Sequence, residues 1–596
     1  MRIKQLIALP LLALALSGCG GGENETFYKV GFLGAPCDTS PEWNDANMQR
    51  MKELGFNTIQ LNVAWGYRPG DNPLNMEDVV AVPDEFKLPV DTTMLNENTG
   101  SQHVFLHSPE KIAARADELR SRIALCKKYG MRTIFHFGAP YVAYPATEPL
   151  SQCISDERTA ERYKALIRKF HEEFPGVDDL LMYTYDQNAW LCSENGVCDK
   201  CFGRPLHERV SAFVNTLAAT WRELNPGGRL WWEPWEISGG QTFAAMELLD
   251  TACVGLSLHS SITEVQLVLP ADRWFKNMLT LASKHGIPVI GELWLGSATE
   301  ETEPYTSIPT PLATLRALKA VNEAGKLAGI KEYYGNLPDR EDVNLRMTAI
   351  FFDNPEIGEE EAMKLLAAPY GPAADEVREY WTLASRAFEL YPWDISWFAR
   401  EVGKSNPCHA LTTATLKGAS WQTPSWQSNR RAAFMRTSET DYPHFWMLED
   451  AQLRFKAAAD CAAAALEAAG RVADKVPEEY SDDFNKGMEE LEGFRQRVMA
   501  YVYHIRETNL CSMLRGKLAE TGVMDNTLLQ ELNRILKEDG ENQGGHNDAM
   551  AEAIDMLEEN PEAFLEKYFR QYADSEEVPE HLLPADWGNV WSLTSK

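Results

Sequence analysis

Carboxylates, imidazoles and indoles sit at or near the ends of short apolar runs along residues 28–336: Trp65, His136, Asp186, Glu233 with Glu236, His259, Glu292 with Trp294, and Glu332. Two facing carboxyl groups can divide acid and base work. One gives a proton to a leaving oxygen while the other attacks or activates water. Indole faces beside them suit the apolar C–H face of a sugar ring. The chemistry within reach is cleavage of a glycosidic bond. Ile287-Pro288-Val289-Ile290-Gly291-Glu292-Leu293-Trp294 shows the pattern most clearly: an apolar run stops at a glutamate, Gly291 is expected to leave room beside it, and Trp294 to form a platform. Arg229-Leu230-Trp231-Trp232-Glu233-Pro234-Trp235-Glu236 packs two glutamates among three tryptophans.

Something must hold these residues around one point. Eight apolar segments recur: 28–37, 57–65, 132–141, 180–190, 229–237, 254–260, 288–295 and 330–335. Helix-like stretches separate most of them, often closed by a glycine, as at Gly55 and Gly130. This alternation predicts an α/β fold, a (β/α)8 TIM barrel, whose chemistry gathers at the C-terminal strand ends. Residues 66–102, rich in Pro and Asn, read as a long insertion after the second strand. The barrel is expected over residues 28–354. A mostly α-helical C-terminal domain is expected over 355–596, with helices near 359–388, 451–476, 482–518, 527–539 and 546–572.

Length and charge narrow the field. The chain has 596 residues and a formal net charge of −31. That is too long for a single core, and the acid excess argues against nucleic acid and anionic membrane surfaces as partners. No metalloprotease, phosphate-loop, serine-hydrolase-elbow or dinucleotide fingerprint occurs, so no cofactor is expected. Ten cysteines follow Cys19. Cys192, Cys198 and Cys201 cluster after the fourth strand segment, with Cys153 upstream as a possible fourth partner. Disulfides bracing a loop and a four-thiolate zinc site both fit, with disulfides slightly favoured if the chain is exported. Cys126, Cys253, Cys461 and Cys511 read as buried thiols.

Residues 1–19 resemble a bacterial lipoprotein signal. Arg2 and Lys4 precede an apolar run over 6–16, then Leu16-Ser17-Gly18-Cys19 matches a lipobox. The resemblance implies acylation at Cys19, a tether over residues 20–27, and a lipid-anchored place at the cell envelope.

The strand-seven glutamate resembles the nucleophile strand of retaining barrel glycosidases of the cellulase-like superfamily. The cysteine loop and helical C-terminus are loosely similar to barrels of the α-glucuronidase and β-hexosaminidase type. The resemblance covers about residues 28–350 and implies Glu292 and Asp186 as the catalytic pair, with Glu233 and Glu236 in reserve. Where the cellulase-like families carry Asn-Glu on strand four, this chain has Asp186-Gln187. Asp186 would serve as the acid or would orient an N-acetyl group, as in substrate-assisted hexosaminidases. Trp65, His136, Tyr185, Trp190, Trp232, Trp235, His259, Trp294, Glu332 and Tyr334 are the expected substrate contacts. The implied partner is a carbohydrate. The competing expectation is a glycan-binding surface lipoprotein without catalysis.

Overall fold

The computed structural model describes residues 27–35, 42–63, 75–86, 109–140, 153–183, 194–196, 198–234, 237, 239–259, 273–299, 302, 304–392, 443–545 and 547–568. Eight parallel strands close a barrel in chain order: β1 (Tyr28–Gly31), β2 (Thr58–Gln60), β3 (Arg132–Gly138), β4 (Asp179–Tyr183), β5 (Leu230–Glu233), β6 (Val254–His259), β7 (Val289–Leu293) and β8 (Gly329–Glu332). β1 pairs with both β2 and β8, which closes the ring. Each strand falls on one predicted segment, with β4 and β8 starting one residue earlier. Helices lie between them: α1 (Asp45–Glu53), α2 (Met76–Val79), α3 (Pro109–Lys128), α4 (Glu157–Glu173), α5 (Leu206–Leu224), α6 (Gly239–Met246), α7 (Arg273–His285) and α8 (Pro311–Glu323), α2 falling within the stretch read as an insertion. Gly55 (φ +89°) and Gly130 (φ +71°) turn the chain out of α1 and α3 toward the next strand. Both adopt the left-handed conformation that side chains disfavour.

Strand residues alternate between two buried faces. Inside the barrel Val30, Ile134, Leu181, Trp231 and Ile290 form an apolar floor. Trp231 fills it, meeting the Tyr28 ring edge-on at 5.2 Å. Gly255 makes the space, because a Cβ there would stand 2.4 Å from the Trp231 ring. The outward residues, among them Phe135, Met182, Leu256 and Leu293, join a core shared with the helices. α4 offers that core Tyr163, Leu166, Ile167 and Phe170, a stripe at helical spacing. Burying each such side chain contributes about 1.5–3 kcal/mol.

The chain beyond the barrel is helical: α9 (Val343–Asp353), α10 (Glu359–Ala367), α11 (Ala374–Leu390), α12 (Pro443–Gly470), α13 (Glu478–Thr521), α14 (Asn526–Asn542), α15 (Asp548–Glu559) and α16 (Pro561–Tyr568). Two predicted helices are broken in fact. The stretch 359–388 is interrupted by a 3-10 segment, Ala368–Ala373, holding Gly371 at φ +56° and Pro372, which has no N–H to give. The stretch 546–572 divides at Asn560-Pro561 for the same reason, the proline opening α16. One apolar core runs from the barrel's outer layer into α11, α12 and α13 as far as Ile505. A smaller one joins Cys511 of α13 to α14, α15 and α16.

α13 also braces the connection that leaves β7. Glu490 accepts a hydrogen bond from the Ser307 backbone N–H. The Arg497 guanidinium lies 4.8 Å over the Tyr305 ring. Gly493 lets the Tyr305 hydroxyl approach, since a Cβ would come within 2.5 Å of it. No helix among the described residues is long and apolar enough to cross a membrane.

Candidate active site

Residues paired across parallel strands point to the same face, so register shows which side chains share the barrel interior. His259 pairs with Glu292, and Glu292 with Lys331. Tyr183 pairs with Glu233. Two residues further along β3, β5 and β7 than the floor residues Ile134, Trp231 and Ile290 stand His136, Glu233 and Glu292. A polar layer thus rests on the apolar floor, toward the C-terminal end of the barrel.

Its contacts are specific. Glu292 accepts a hydrogen bond from the Ser257 hydroxyl through Oε1, and its Oε2 lies 3.7 Å from Lys331 Nζ. Glu233 Oε2 lies 3.4 Å from His136 Nε2. Neither Glu233 oxygen accepts a hydrogen bond among the described residues. Gln60 Nε2 donates to the Asn62 carbonyl at 2.8 Å and faces His136 Nδ1 at 3.4 Å. With that nitrogen facing a donor, the imidazole proton belongs on Nε2, toward Glu233. Asn62 grips the His136 backbone from both sides, accepting from its N–H at 2.9 Å and donating to its carbonyl at 2.7 Å. The Tyr183 ring meets the His136 ring edge-on at 5.6 Å.

Burial sets the electrostatics. It pushes the Glu292 carboxyl up to about 7, the Glu233 charge adds to the rise, and Lys331 and the Ser257 hydroxyl oppose it. Burial also raises Glu233, again against Lys331. Two carboxyls that repel each other in a dry site cannot both be charged cheaply, so near neutral pH the pair holds a proton. Burial, then Lys331, lowers His259 to about 3, so its ring is neutral. The arrangement can donate a proton, hold a negative charge and offer a neutral imidazole, all within one interior layer.

The sequence-predicted residues fall into three groups. Glu233, Glu292, His136 and His259 come together as described. Trp294, two residues past Glu292, packs with Tyr183, Tyr333 and Tyr334 in an apolar cluster, and its Nε1 has no hydrogen-bond partner among the described residues. Trp65, Tyr185, Asp186, Trp190, Trp235, Glu236, Cys192 and Cys19 lie outside the described residues.

Three expectations are corrected. Trp232 is no sugar platform, because it faces outward into the core beneath the helices. Glu332 is no substrate contact in the barrel interior. It pairs with Leu293 on the outer face and accepts from the backbone N–H groups of Leu295, Tyr334 and Gly335 and from Asn336 Nδ2. Burial pushes it up to about 8 against those donors. It ties the end of β8 to the end of β7. Gly291 makes room not for Glu292 but for α8, since a Cβ there would stand 2.8 Å from Val321. Lys331, Ser257, Gln60 and Asn62 were not singled out from sequence. Strict alternation from Ile290 and Glu292 across to β8 is the signal that places Lys331 inside.

No protein-family model matches the chain, and no curated protein matches it in sequence. Among solved structures, a GH138 enzyme targeting pectin rhamnogalacturonan II is similar with a TM-score of 0.56 at 11% identity, over 90% of this chain and 70% of that one. A Thermobaculum terrenum O-GlcNAc hydrolase mutant covers 90% of this chain and 95% of its own at 10% identity and a TM-score of 0.40, which is too low to carry an argument. The chain has a (β/α)8 barrel fold. At this identity the likeness speaks for the barrel fold alone, and what the barrel does has to be argued from its interior.

Proposed function

We propose that this chain is a glycoside hydrolase acting on an oligo- or polysaccharide at the cell envelope, with Glu292 and Glu233 as its carboxyl pair. The observation that carries the reading is the placement of two buried carboxyls in one inward-facing layer at the C-terminal end of the barrel. The donors are unevenly shared. Ser257 and Lys331 favour charge on Glu292, whereas among the described residues Glu233 faces His136 Nε2 without a hydrogen bond. Those donors support the charge on Glu292 once it ionises, so Glu292 is assigned as the nucleophile or base and Glu233 as the general acid. His259 and Trp294 are the neutral contacts for sugar hydroxyls. Acylation of Cys19 would hold the enzyme at the membrane.

A second reading, a glycan-binding lipoprotein without catalysis, is favoured by the partners already beside each carboxyl, the Lys331 ammonium at Glu292 and the His136 imidazole at Glu233. One experiment separates the two. The chain from Phe27 onward is screened against aryl glycosides of hexoses, hexosamines and uronic acids, beside Glu292→Gln, Glu233→Gln and Asp186→Asn. Turnover lost with Glu292→Gln and Glu233→Gln supports the enzyme and its pair. Turnover lost only with Glu292→Gln and Asp186→Asn moves the acid to β4. Silence on all substrates with glycan binding retained supports the binder. Anchoring is read separately, by palmitate-analogue labelling that Cys19→Ala abolishes.

A further inference from the structure

A second cluster lies apart from the carboxyl pair. Cys153, Cys198 and Cys201 are all buried. The Cys153 sulfur lies 3.1 Å from that of Cys201 and 3.9 Å from that of Cys198, and all three lie within 4.8 Å of one another. No disulfide joins any two of the three. A disulfide could join only two of the three, whereas one ion can take all three sulfurs. A four-coordinate ion with metal–sulfur bonds of about 2.3 Å sets its sulfurs roughly 3.8 Å apart, close to the spacing seen.

The backbone is shaped for such an ion. Cys198 and Cys201 bound a tight turn, with the Cys201 N–H donating to the Cys198 carbonyl at 3.1 Å and the Phe202 N–H to the same oxygen at 2.8 Å. Gly203, at φ +70°, then folds back so that its N–H meets the Glu194 carbonyl at 2.7 Å. Two cysteines with two residues between them and a glycine just beyond form a knuckle that brings both sulfurs together. Cys153 arrives from the other side, where its carbonyl accepts from Asp156, the N-cap of α4. An ion pair between Lys200 and Asp156 fastens the two segments together.

We propose that Cys153, Cys198 and Cys201 bind a zinc-class ion as thiolates. Each thiol gives up its proton on binding, and the ion takes three sulfurs with one position left for a further ligand. Cys153 stands just before α4 and the knuckle just before α5. The ion therefore staples the third and fourth strand-to-helix connections, both on the face of the barrel that carries the carboxyl pair. Its role is structural, and it takes no part in the chemistry proposed for Glu233 and Glu292.

The test uses the full chain purified without chelator. Metal content is measured by plasma mass spectrometry. The ion is then exchanged for Co2+ and the absorption spectrum recorded. The expected result is a single ion per chain, with sulfur-to-cobalt charge transfer and a tetrahedral d–d band. Cys198→Ser with Cys201→Ser should lose both bands, while Cys461→Ser, outside the cluster, keeps them. If the double variant does not fold, the spectrum of the unaltered chain decides. A reduced chain that takes up no Co2+ overturns the proposal. So does peptide mapping without reductant that finds Cys153 disulfide-linked to Cys198 or Cys201.

Discussion

Replacing Glu292 by Gln should make the barrel more stable at high pH and should change how stability varies with pH. The folded carboxyl titrates at about 7, against an ordinary value of 4.5. Below 4.5 both folded and unfolded chains hold the proton and the site costs nothing. As pH rises, the unfolded chain releases its proton while the buried carboxyl keeps it, so stability falls until about pH 7 and then levels. The gap between 4.5 and about 7, at ~1.36 kcal/mol per pH unit, is about 3 kcal/mol. The residue is fully buried, so solvent does not screen this away. Removing the Glu292 charge also eases ionisation of Glu233, which acts in the same direction. The chain's pI near 4.9 confines measurement to pH 5.5 and above, where about 2 kcal/mol of the effect remains. The assay is paired calorimetry and urea unfolding of the original chain and Glu292→Gln from pH 5.5 to 8. The difference should move toward the variant by that amount. A difference constant across the range would refute the claim that Glu292 is a buried carboxyl in a dry site.

Lys331→Met should raise the Glu292 carboxyl further. A unit charge at 3.7 Å is worth at most about 4 kcal/mol at an effective dielectric near 20, or about three pH units. The rising limb of a pH–rate profile should move upward by one unit or more, and an unmoved limb would contradict the Lys331 assignment. Gly255→Val drives a side chain into the Trp231 ring, so calorimetry should show a loss of about 1–3 kcal/mol or more, whereas unchanged stability would mean the floor is loose. In the helical region Asp539 is buried beside Glu507, and burial first, then the Glu507 charge, raises it well above the carboxylate range. Its folded value lies above its unfolded one, so it costs stability as pH rises through that interval. Asp539→Asn should melt higher than the original chain at pH 8 and lose that advantage as pH falls, and a lower melting point at pH 8 would count against the pair.

The barrel was legible because its signals are local and repeated. Apolar runs, glycine stops and helical stripes recur in the order the fold needs, and an error at one boundary leaves the others in place. Helix ends near 371 and 560 were less legible. Favourable composition ran on through Gly371-Pro372 and Asn560-Pro561, yet a missing N–H and a turned backbone end a helix whatever surrounds them. The bracing of the β7 connection by Glu490 and Gly493 had no signature at all, because its partners lie more than 180 residues apart in sequence.

The site shows a sharper limit. Reading strand ends picked Glu332 over Lys331, since Glu332 closes the apolar run. In a barrel the last residue of a strand is inward or outward according to parity, and parity is set by register with the neighbouring strand. Glu292 lies level with Lys331, and Leu293 with Glu332. The lysine therefore enters the barrel and the glutamate faces out, where backbone N–H groups occupy it. The same rule separates Trp231 in the floor from Trp232 in the outer core, two adjacent tryptophans that composition alone cannot tell apart. It also changes which carboxyls can act together. Parity puts Glu233 in the interior layer with Glu292, and it was only held in reserve when the strands were read one at a time. A charged residue inside a barrel strand is thus best judged by whether it shares parity with a residue already known to face inward, not by whether it comes last.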